Sequence, residues 1–410
     1  MLKKAFLFPG QGSQAVGMGK VLAQKYPVAE ETFKEADAVL GFPLSALCFQ
    51  GDPATLTLTK NAQPALLTTS VAMFRVLQEK NIKPEILVGH SLGEISALTC
   101  AGVFSFADAL KLTRLRGELM QEAVPVGKGA MAAVSTRDFE ALQEILDEEA
   151  KGDILSISND NSNVQQVISG TVNAVDRAIL ALEKANIKVK KLNVSAPFHC
   201  ALMQPAAERF EQALSEVSLK NPNALVLANV NAKPYEGKEN VVSNLVAQLT
   251  SPVRWRESMV YLQRAMVSFC VEVGPGHVLK RLMRTNIGDL AVYAFEEEEE
   301  KVYEAVEASY YPFVSRAMGI AVATRNMNFD EEAYEKGVVE PYRALEEMDR
   351  KIQSEGRKAT EEEMDKTVAL LQKIFETKQT PEDECIFRFK ELFADTGTEE
   401  HFKLLADLKG

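Results

Sequence analysis

Cysteine is scarce in this 410-residue chain, and its five copies, Cys48, Cys100, Cys200, Cys270 and Cys385, lie far apart with no Cys-x-x-Cys pair. That pattern argues against a disulfide framework and against a cysteine zinc site, and it points to a reducing compartment. Long hydrophobic runs are missing as well. Lys3 and Lys4 precede an apolar stretch from Ala5 to Phe8, but Pro9-Gly10 cuts it short of a signal-peptide core. No run approaches membrane-spanning length, so a cytoplasmic protein is expected. Positive charge is in deficit, with 46 Lys plus Arg against 58 Asp plus Glu. Nucleic acid and anionic membranes are therefore not expected as partners, and any anionic ligand needs a local basic patch.

The formal charge of −12 is uneven, since Ala308 to Gly410 holds 15 Lys plus Arg and 22 Asp plus Glu. This shift marks the last quarter as a separate module. Apolar residues make up 46% of the chain, enough for two or three packed domains.

What is present centres on Ile86-Leu87-Val88-Gly89-His90-Ser91-Leu92-Gly93-Glu94. A short apolar strand runs into Gly-x-Ser-x-Gly, and a helix-compatible segment from Glu94 to Cys100 follows. This is the strand, sharp turn and helix of a nucleophile elbow, which lifts a serine hydroxyl clear of the sheet. Gly89 and Gly93 are expected to be small because strand and helix nearly touch there.

Ala5 to Phe8 reads as a buried strand, followed by the glycine-rich loop Pro9-Gly10-Gln11-Gly12-Ser13-Gln14. Such a loop can aim backbone N–H groups at a developing oxyanion. A helix is predicted after Asn61-Ala62-Gln63-Pro64 with Pro64 near its first turn, and another from Ser105 or Phe106 to Glu122. Between Gly127 and Leu192 the pattern becomes β-α-β-β-α-β. Strands are expected at Ala130 to Ser135, Ile154 to Ser158, Val164 to Ser169 and Val189 to Leu192, with helices at Asp138 to Glu149 and Val172 to Ala185. This is the ferredoxin-like order, inserted in a larger domain whose strands resume at Ala224 to Asn229 and Val267 to Val273. The alternation elsewhere predicts an α/β domain with a mainly parallel sheet and a site at the carboxyl ends of its strands. In the tail, Val339, Tyr342, Leu345, Met348 and Ile352 form a helical stripe ending near Gly356. Thr360 and Glu363 form a capping box before Val368, Leu371, Ile374 and Phe375, and Thr380-Pro381 and Thr398-Glu399 read as further helix starts.

A serine needs a base, and histidine suits that task at neutral pH. Only four are available. His90 adjoins Ser91, so its side chain should diverge and serve as a packed or hydrogen-bonded neighbour. His401, in the acidic tail, reads as a surface residue. His277 in Gly274-Pro275-Gly276-His277 follows a strand and stays open, but His199, on the return from the insert, is favoured. Arg114 and Arg116 lie on the predicted helix to Glu122. A guanidinium aimed at the cleft would grip a carboxylate, whereas Arg114 is expected at the surface.

Together, Phe8-Pro9-Gly10-Gln11-Gly12-Ser13-Gln14, Gly89-His90-Ser91-Leu92-Gly93-Glu94, Arg114-Leu115-Arg116-Gly117, Met120-Gln121-Glu122-Ala123-Val124-Pro125, Pro197-Phe198-His199-Cys200 and Gln248-Leu249 through Pro252-Val253-Arg254-Trp255 resemble the malonyl-CoA:acyl carrier protein transacylase family. The resemblance covers about Met1 to Glu307. It implies an α/β-hydrolase-like large subdomain, 1–126 and 197–307, with a ferredoxin-like small subdomain at 127–196. It further implies Ser91 as acyl-accepting nucleophile, His199 as general base, and the backbone N–H groups of Gln11 and Leu92 as oxyanion hole. Arg116 would bind the substrate carboxylate, and a main-chain carbonyl at Gln248 would orient His199. Phe198 matches the bulky residue of malonyl-selective members.

The implied activity is malonyl transfer from malonyl-CoA to acyl carrier protein for fatty acid synthesis, with neither cofactor nor metal. A polyketide-serving acyltransferase and a serine thioesterase are the alternatives. Lys188, Lys190, Lys191, Arg254, Arg256, Lys280, Arg281 and Arg284 are the candidate basic patches for these anionic partners. The all-helical extension 308–410 departs from the family pattern, in which members are expected to end near Glu307. Docking, oligomerisation, a carrier-protein contact and a packed ornament all remain open for it.

Overall fold

The computed structural model describes residues 2–194 and 196–402. The chain divides into two compact units, Lys3–Val302 and, with Leu2, the residues from Tyr303 onward. The division lies within the helix Phe295–Ser309, a few residues before the 307/308 boundary expected from sequence.

The first unit is built on five parallel strands: β1 (Lys3–Phe8), β2 (Ile86–Gly89), β7 (Leu225–Leu227), β8 (Val267–Glu272) and β9 (Ala291–Ala294), in the order β7-β2-β1-β8-β9. β1 is central and covered on both faces, which is why Ala-Phe-Leu-Phe is continuously apolar rather than alternating. Its one buried charge, Lys4, meets the Glu85 carboxylate at 3.2 Å. Ala5 pairs with Ile86 and Phe8 with Gly89, so the loops after β1 and β2 leave the sheet at the same level. β7 ends beside them, with Leu227 level with Val88. The strand β9 had no clear sequence signal, because four residues at a sheet edge carry too little pattern.

The insert forms an antiparallel sheet of β3 (Gly129–Ser135), β4 (Leu155–Ser162), β5 (Gln165–Thr171) and β6 (Lys188–Lys191), ordered β4-β5-β3-β6. The helices Phe139–Ala150 and Val172–Lys184 cover one face, closing over Ala132, Val134, Leu146, Ile168 and Val175. This is the expected ferredoxin-like arrangement. β4 runs four residues beyond the expected end at Ser158, through Asn159-Asp160-Asn161-Ser162, with register shifts at Ile157/Asn159 and Asp160/Ser162. Those bulges let polar side chains sit in a strand, and Val253 pairs with its Ser158–Asp160 stretch through backbone hydrogen bonds.

The helix containing Pro64 is Thr59–Glu79, starting a turn earlier than predicted. Proline there offers no N–H to the carbonyl of Lys60, and Arg114 Nη1 donates to that oxygen instead at 3.2 Å. Arg114, expected at the surface, is thus partly buried, repairing the proline's gap while pairing with Glu118 at 2.8 Å.

The second unit is helical. Phe313–Ala323, Glu340–Ser354, Glu361–Thr377 and Glu382–Thr396 enclose Ile320, Leu345, Leu371, Phe375 and Phe393, with Phe402 stacked on Phe393. The Thr360–Glu363 capping box is present. Thr398 accepts one turn bond from Phe402, and the rest of that expected helix lies outside the described residues. The first helix, Phe313–Ala323, was not anticipated. A π-helical segment, Glu335–Val339, precedes Pro341 and slips the stripe by one, so Val338 rather than Val339 is buried.

Lys378 is buried and its ammonium donates to Ala321 O at 2.7 Å and Thr324 O at 2.8 Å, closing the end of Phe313–Ala323. Replacing it by Met should lower the local stability of that helix by about 1–3 kcal/mol, read from amide hydrogen exchange. Unchanged exchange there would show that the carbonyls do not need the lysine.

Candidate active site

Ser91 sits at the turn between β2 and the helix Leu92–Cys100 with φ 54° and ψ −110°, a conformation unusual for a residue with a side chain. The turn is forced by close approach. A Cβ on Gly89 would fall 1.8 Å from the Gly93 carbonyl carbon, and one on Gly93 would fall 1.9 Å from Phe8 O. Asn229, just past β7, buttresses the turn: its Nδ2 donates to Gly89 O at 2.7 Å and its Oδ1 accepts from Ser91 N at 2.8 Å.

His199 is the histidine brought to the serine. Its Nε2 lies 2.7 Å from Ser91 Oγ, and its Nδ1 lies 2.7 Å from Gln248 O. With Nδ1–H donating to the carbonyl, the tautomer leaves Nε2 free to accept from the serine hydroxyl. That carbonyl is available because the residue four further on is Pro252, which has no N–H to offer the last turn of the helix Val241–Thr250. Burial, then the nearby Arg116 cation, lowers the His199 pKa to about 3. Its imidazole is therefore neutral and able to take a proton.

The other histidines are elsewhere. His90 bonds Asn161 Oδ1 at 2.9 Å and lies against Trp255, as a packed neighbour of the elbow. His277 pairs with Glu297 at 2.7 Å and with Arg281. His401 faces Asp365.

Arg116 is 1% exposed, on the helix Phe106–Glu122. Its Nη1 donates to Gln63 Oε1 at 2.8 Å and its Nη2 to Gln248 Oε1 at 2.7 Å, while Nη2 stands 3.5 Å from Ser91 Oγ. Its Nε is buried with no partner among the described residues. Burial lowers its pKa to about 10, opposed by Glu94, so it is a cation at neutral pH. Glu94 is fully buried. Its carboxylate accepts from Gln248 Nε2 at 2.6 Å, from Asn229 N at 3.2 Å and from Tyr235 Oη. Burial raises the Glu94 pKa to about 7 despite these donors.

A cavity of about 290 Å³ gathers Gln11, Ser91, Leu92, Arg116, Phe198 and His199. The backbone N–H groups of Gln11 and Leu92 have no acceptor among the described residues. Gln63, Asn229, Glu94 and Tyr235 were not singled out from sequence. For Glu94 a signal existed, a lone acid inside an otherwise uncharged, fully buried helix.

The opposite wall comes from the open face of the insert, with Met131, Gln165 and Val167. Of the expected basic patches, Lys191 is paired with Asp176, Arg254 with Glu257, Arg256 with Asp160 and Lys280 with Glu298. Lys188, Lys190, Arg281 and Arg284 have no acidic partner among the described residues, Arg281 meeting only His277, so the patch is smaller than the sequence suggested.

An acyl transferase domain model matches residues 5–305. A Malonyl CoA-acyl carrier protein transacylase of Bacillus subtilis (strain 168) is 47% identical over 286 residues, covering 69% of this chain and 90% of that protein. The chain belongs to the malonyl CoA-acyl carrier protein transacylase family. A second transacylase of that name, from Bacillus subtilis, is 38% identical over 387 residues, 92% of this chain and 97% of the relative. A match of that extent cannot be contained before Glu307. That relative therefore matches into the extension, whereas the strain 168 transacylase is covered to 90% by 69% of this chain, as expected of members that end near Glu307. A solved malonyl-transacylase, in complex with the holo acyl-carrier protein of a type II PKS, is 45% identical with TM-score 0.69, covering 71% of this chain and 94% of that one.

Because His199 is held neutral down to about pH 3, its proton-accepting form is fully present across the ordinary histidine range. The rate of Ser91 acylation by malonyl-CoA should therefore stay within about twofold between pH 7 and pH 5, where a histidine of pKa 6.5 would lose more than about tenfold. Stopped-flow release of CoA thiol decides it, and a fall with a midpoint near 6.5 would contradict the structure.

Proposed function

We propose that this chain transfers a malonyl group from malonyl-CoA to the phosphopantetheine thiol of an acyl carrier protein through a malonyl ester on Ser91. The observation that carries this reading is the buried Arg116 guanidinium 3.5 Å from a serine that is itself bonded to a neutral histidine. A hydrolase of uncharged esters has no use for such a cation.

In the first half-reaction Ser91 Oγ bonds to the thioester carbonyl carbon as its proton passes to His199 Nε2. The oxyanion is received by the N–H groups of Gln11 and Leu92, where charge develops. Collapse breaks the carbon–sulfur bond, and His199 returns the proton to the departing CoA sulfur. The carrier-protein thiol then gives its proton to His199, attacks the ester, and Ser91 leaves reprotonated. These groups balance every proton and electron pair, so we read the chemistry as free of cofactor and metal.

Arg116 grips the malonyl carboxylate, with Nε as an unspent donor. That carboxylate also offsets the cation that helps depress His199, so the proper substrate makes the base stronger. Acetyl-CoA would leave the guanidinium buried and unpaired. Phe198, on the cavity wall beside His199, crowds any substituent on the malonyl α-carbon.

The solved complex with a carrier protein supports the partner, and Lys188, Lys190, Arg281 and Arg284 are cations without an acidic partner among the described residues, available to acidic groups. Fatty acid synthesis is the pathway we favour. A polyketide carrier is the second reading, favoured by the type II PKS carrier in that complex. The dispersed, unpaired cysteines support a cytoplasmic setting. No helix among the described residues is long and apolar enough to cross a membrane.

Intact mass after incubation with malonyl-CoA should show one malonyl adduct, absent in Ser91→Ala, that chases onto a holo carrier protein. Discharge to free malonate at the same rate with and without carrier would make the protein a thioesterase. Offering fatty acid and polyketide carriers in competition assigns the pathway. Phe198→Ser should gain methylmalonyl transfer by about tenfold or more relative to malonyl, and no gain would remove Phe198 as a selector.

A further inference from the structure

Gln248 has an amide whose two ends are nearly identical in shape, yet only one orientation works. With Oε1 toward Arg116 Nη2 it accepts at 2.7 Å, and Nε2 then meets only acceptors: Glu94 Oε2 at 2.6 Å, Ser91 O at 3.0 Å and Asn229 Oδ1 at 3.4 Å. Turned over, the amide would set donor against donor at the guanidinium and acceptor against acceptor at the carboxylate. The shortest of these contacts to Nε2 is from Glu94. The Glu94 carboxylate is in turn fixed at its other oxygen by Tyr235 Oη and at the same oxygen by Asn229 N. Glu94 is 0% exposed and Tyr235 is 5% exposed, so water does not compete. Neither residue lines the cavity.

We propose that Glu94, braced by Tyr235, is a positioning residue for acyl selection, holding the Gln248 amide in the orientation that aligns Arg116 for the substrate carboxylate. The role rests on the malonyl transfer proposed above and concerns its selectivity rather than its bond-making steps. Acetyl groups make no use of Arg116, so a lesion at Glu94 should be felt by malonyl-CoA alone. A merely structural lesion would slow both acyl groups alike.

Two substitutions separate reach from charge. Glu94→Gln keeps the length of the side chain, and its carbonyl can still accept from Gln248 and Asn229 while its amide faces a Tyr235 hydroxyl free to rotate. Glu94→Asp keeps the charge but is one methylene too short to hold Tyr235 and Gln248 together. Ser91 acylation is measured with malonyl-CoA and acetyl-CoA, for proteins shown folded by circular dichroism.

The Asp variant should raise the KM for malonyl-CoA and cut the malonyl-over-acetyl ratio by about tenfold, with the acetyl rate unchanged. The Gln variant should stay within about twofold of the native ratio. A native ratio in the Asp variant, or a Gln variant as impaired as the Asp variant, overturns the proposal. Should the Asp variant not fold, Tyr235→Phe carries the test through the same ratio. A fall of about threefold supports the brace and no change overturns it. Native protein that forms no malonyl adduct would instead sink the transfer reaction itself, leaving a result distinct from either.

Discussion

Everything chemical in this molecule is referred to one side chain that does no chemistry, Gln248. Its backbone oxygen holds His199, its amide oxygen holds Arg116, and its amide nitrogen reaches Ser91 O and Glu94. Base and cation thus meet at one residue through different groups, the base at a backbone carbonyl that stays in place when the side-chain amide turns, and Ser91 O keeps Glu94 N–H as a second donor at 3.0 Å. Gln248 is itself rigid because it stands in the last turn of a helix whose carbonyl is freed by Pro252. Burial then makes each of these bonds expensive to break, since no water replaces a lost partner.

The same burial explains the electrostatics. A guanidinium and a carboxylate share the enclosed space behind Ser91, joined through Gln248 rather than in direct contact. Each moderates the other, with Glu94 raising the Arg116 pKa and Arg116 lowering that of Glu94 against burial. Burial first, then the Arg116 cation, keeps His199 unprotonated. A pair at full contact would have satisfied itself and left nothing for a substrate carboxylate.

Local chemistry made much of this legible in the sequence. The elbow could be read because only glycine tolerates the contacts at positions 89 and 93, and the structure places both under 2 Å from neighbouring backbone. The ferredoxin-like insert was readable from alternating strands and Ser91 from the elbow, whereas chemistry alone left His277 open beside His199, and the family resemblance supplied the role of Arg116. What escaped depended on distant contacts. Arg114 was read as a surface residue because nothing local tells that Pro64 would leave Lys60 O unpaired 54 residues away. The extent of β4 through Asn159-Asp160-Asn161 was hidden because it is pairing with Val253, not propensity, that keeps polar residues in a strand. In the extension, the slip from Val339 to Val338 follows from a π-helical turn that no periodicity reveals.

The cavity has two walls of different character. One is cast from loops whose glycines lie so close to neighbouring backbone that the parts interlock. The other is a face of the inserted sheet, where Met131, Gln165 and Val167 already carry side chains to the cavity. Side chains on the second wall can change size while the first stays as it is. A lineage of these proteins could therefore explore new acyl groups by remoulding the insert, leaving the machinery that makes and breaks the ester untouched.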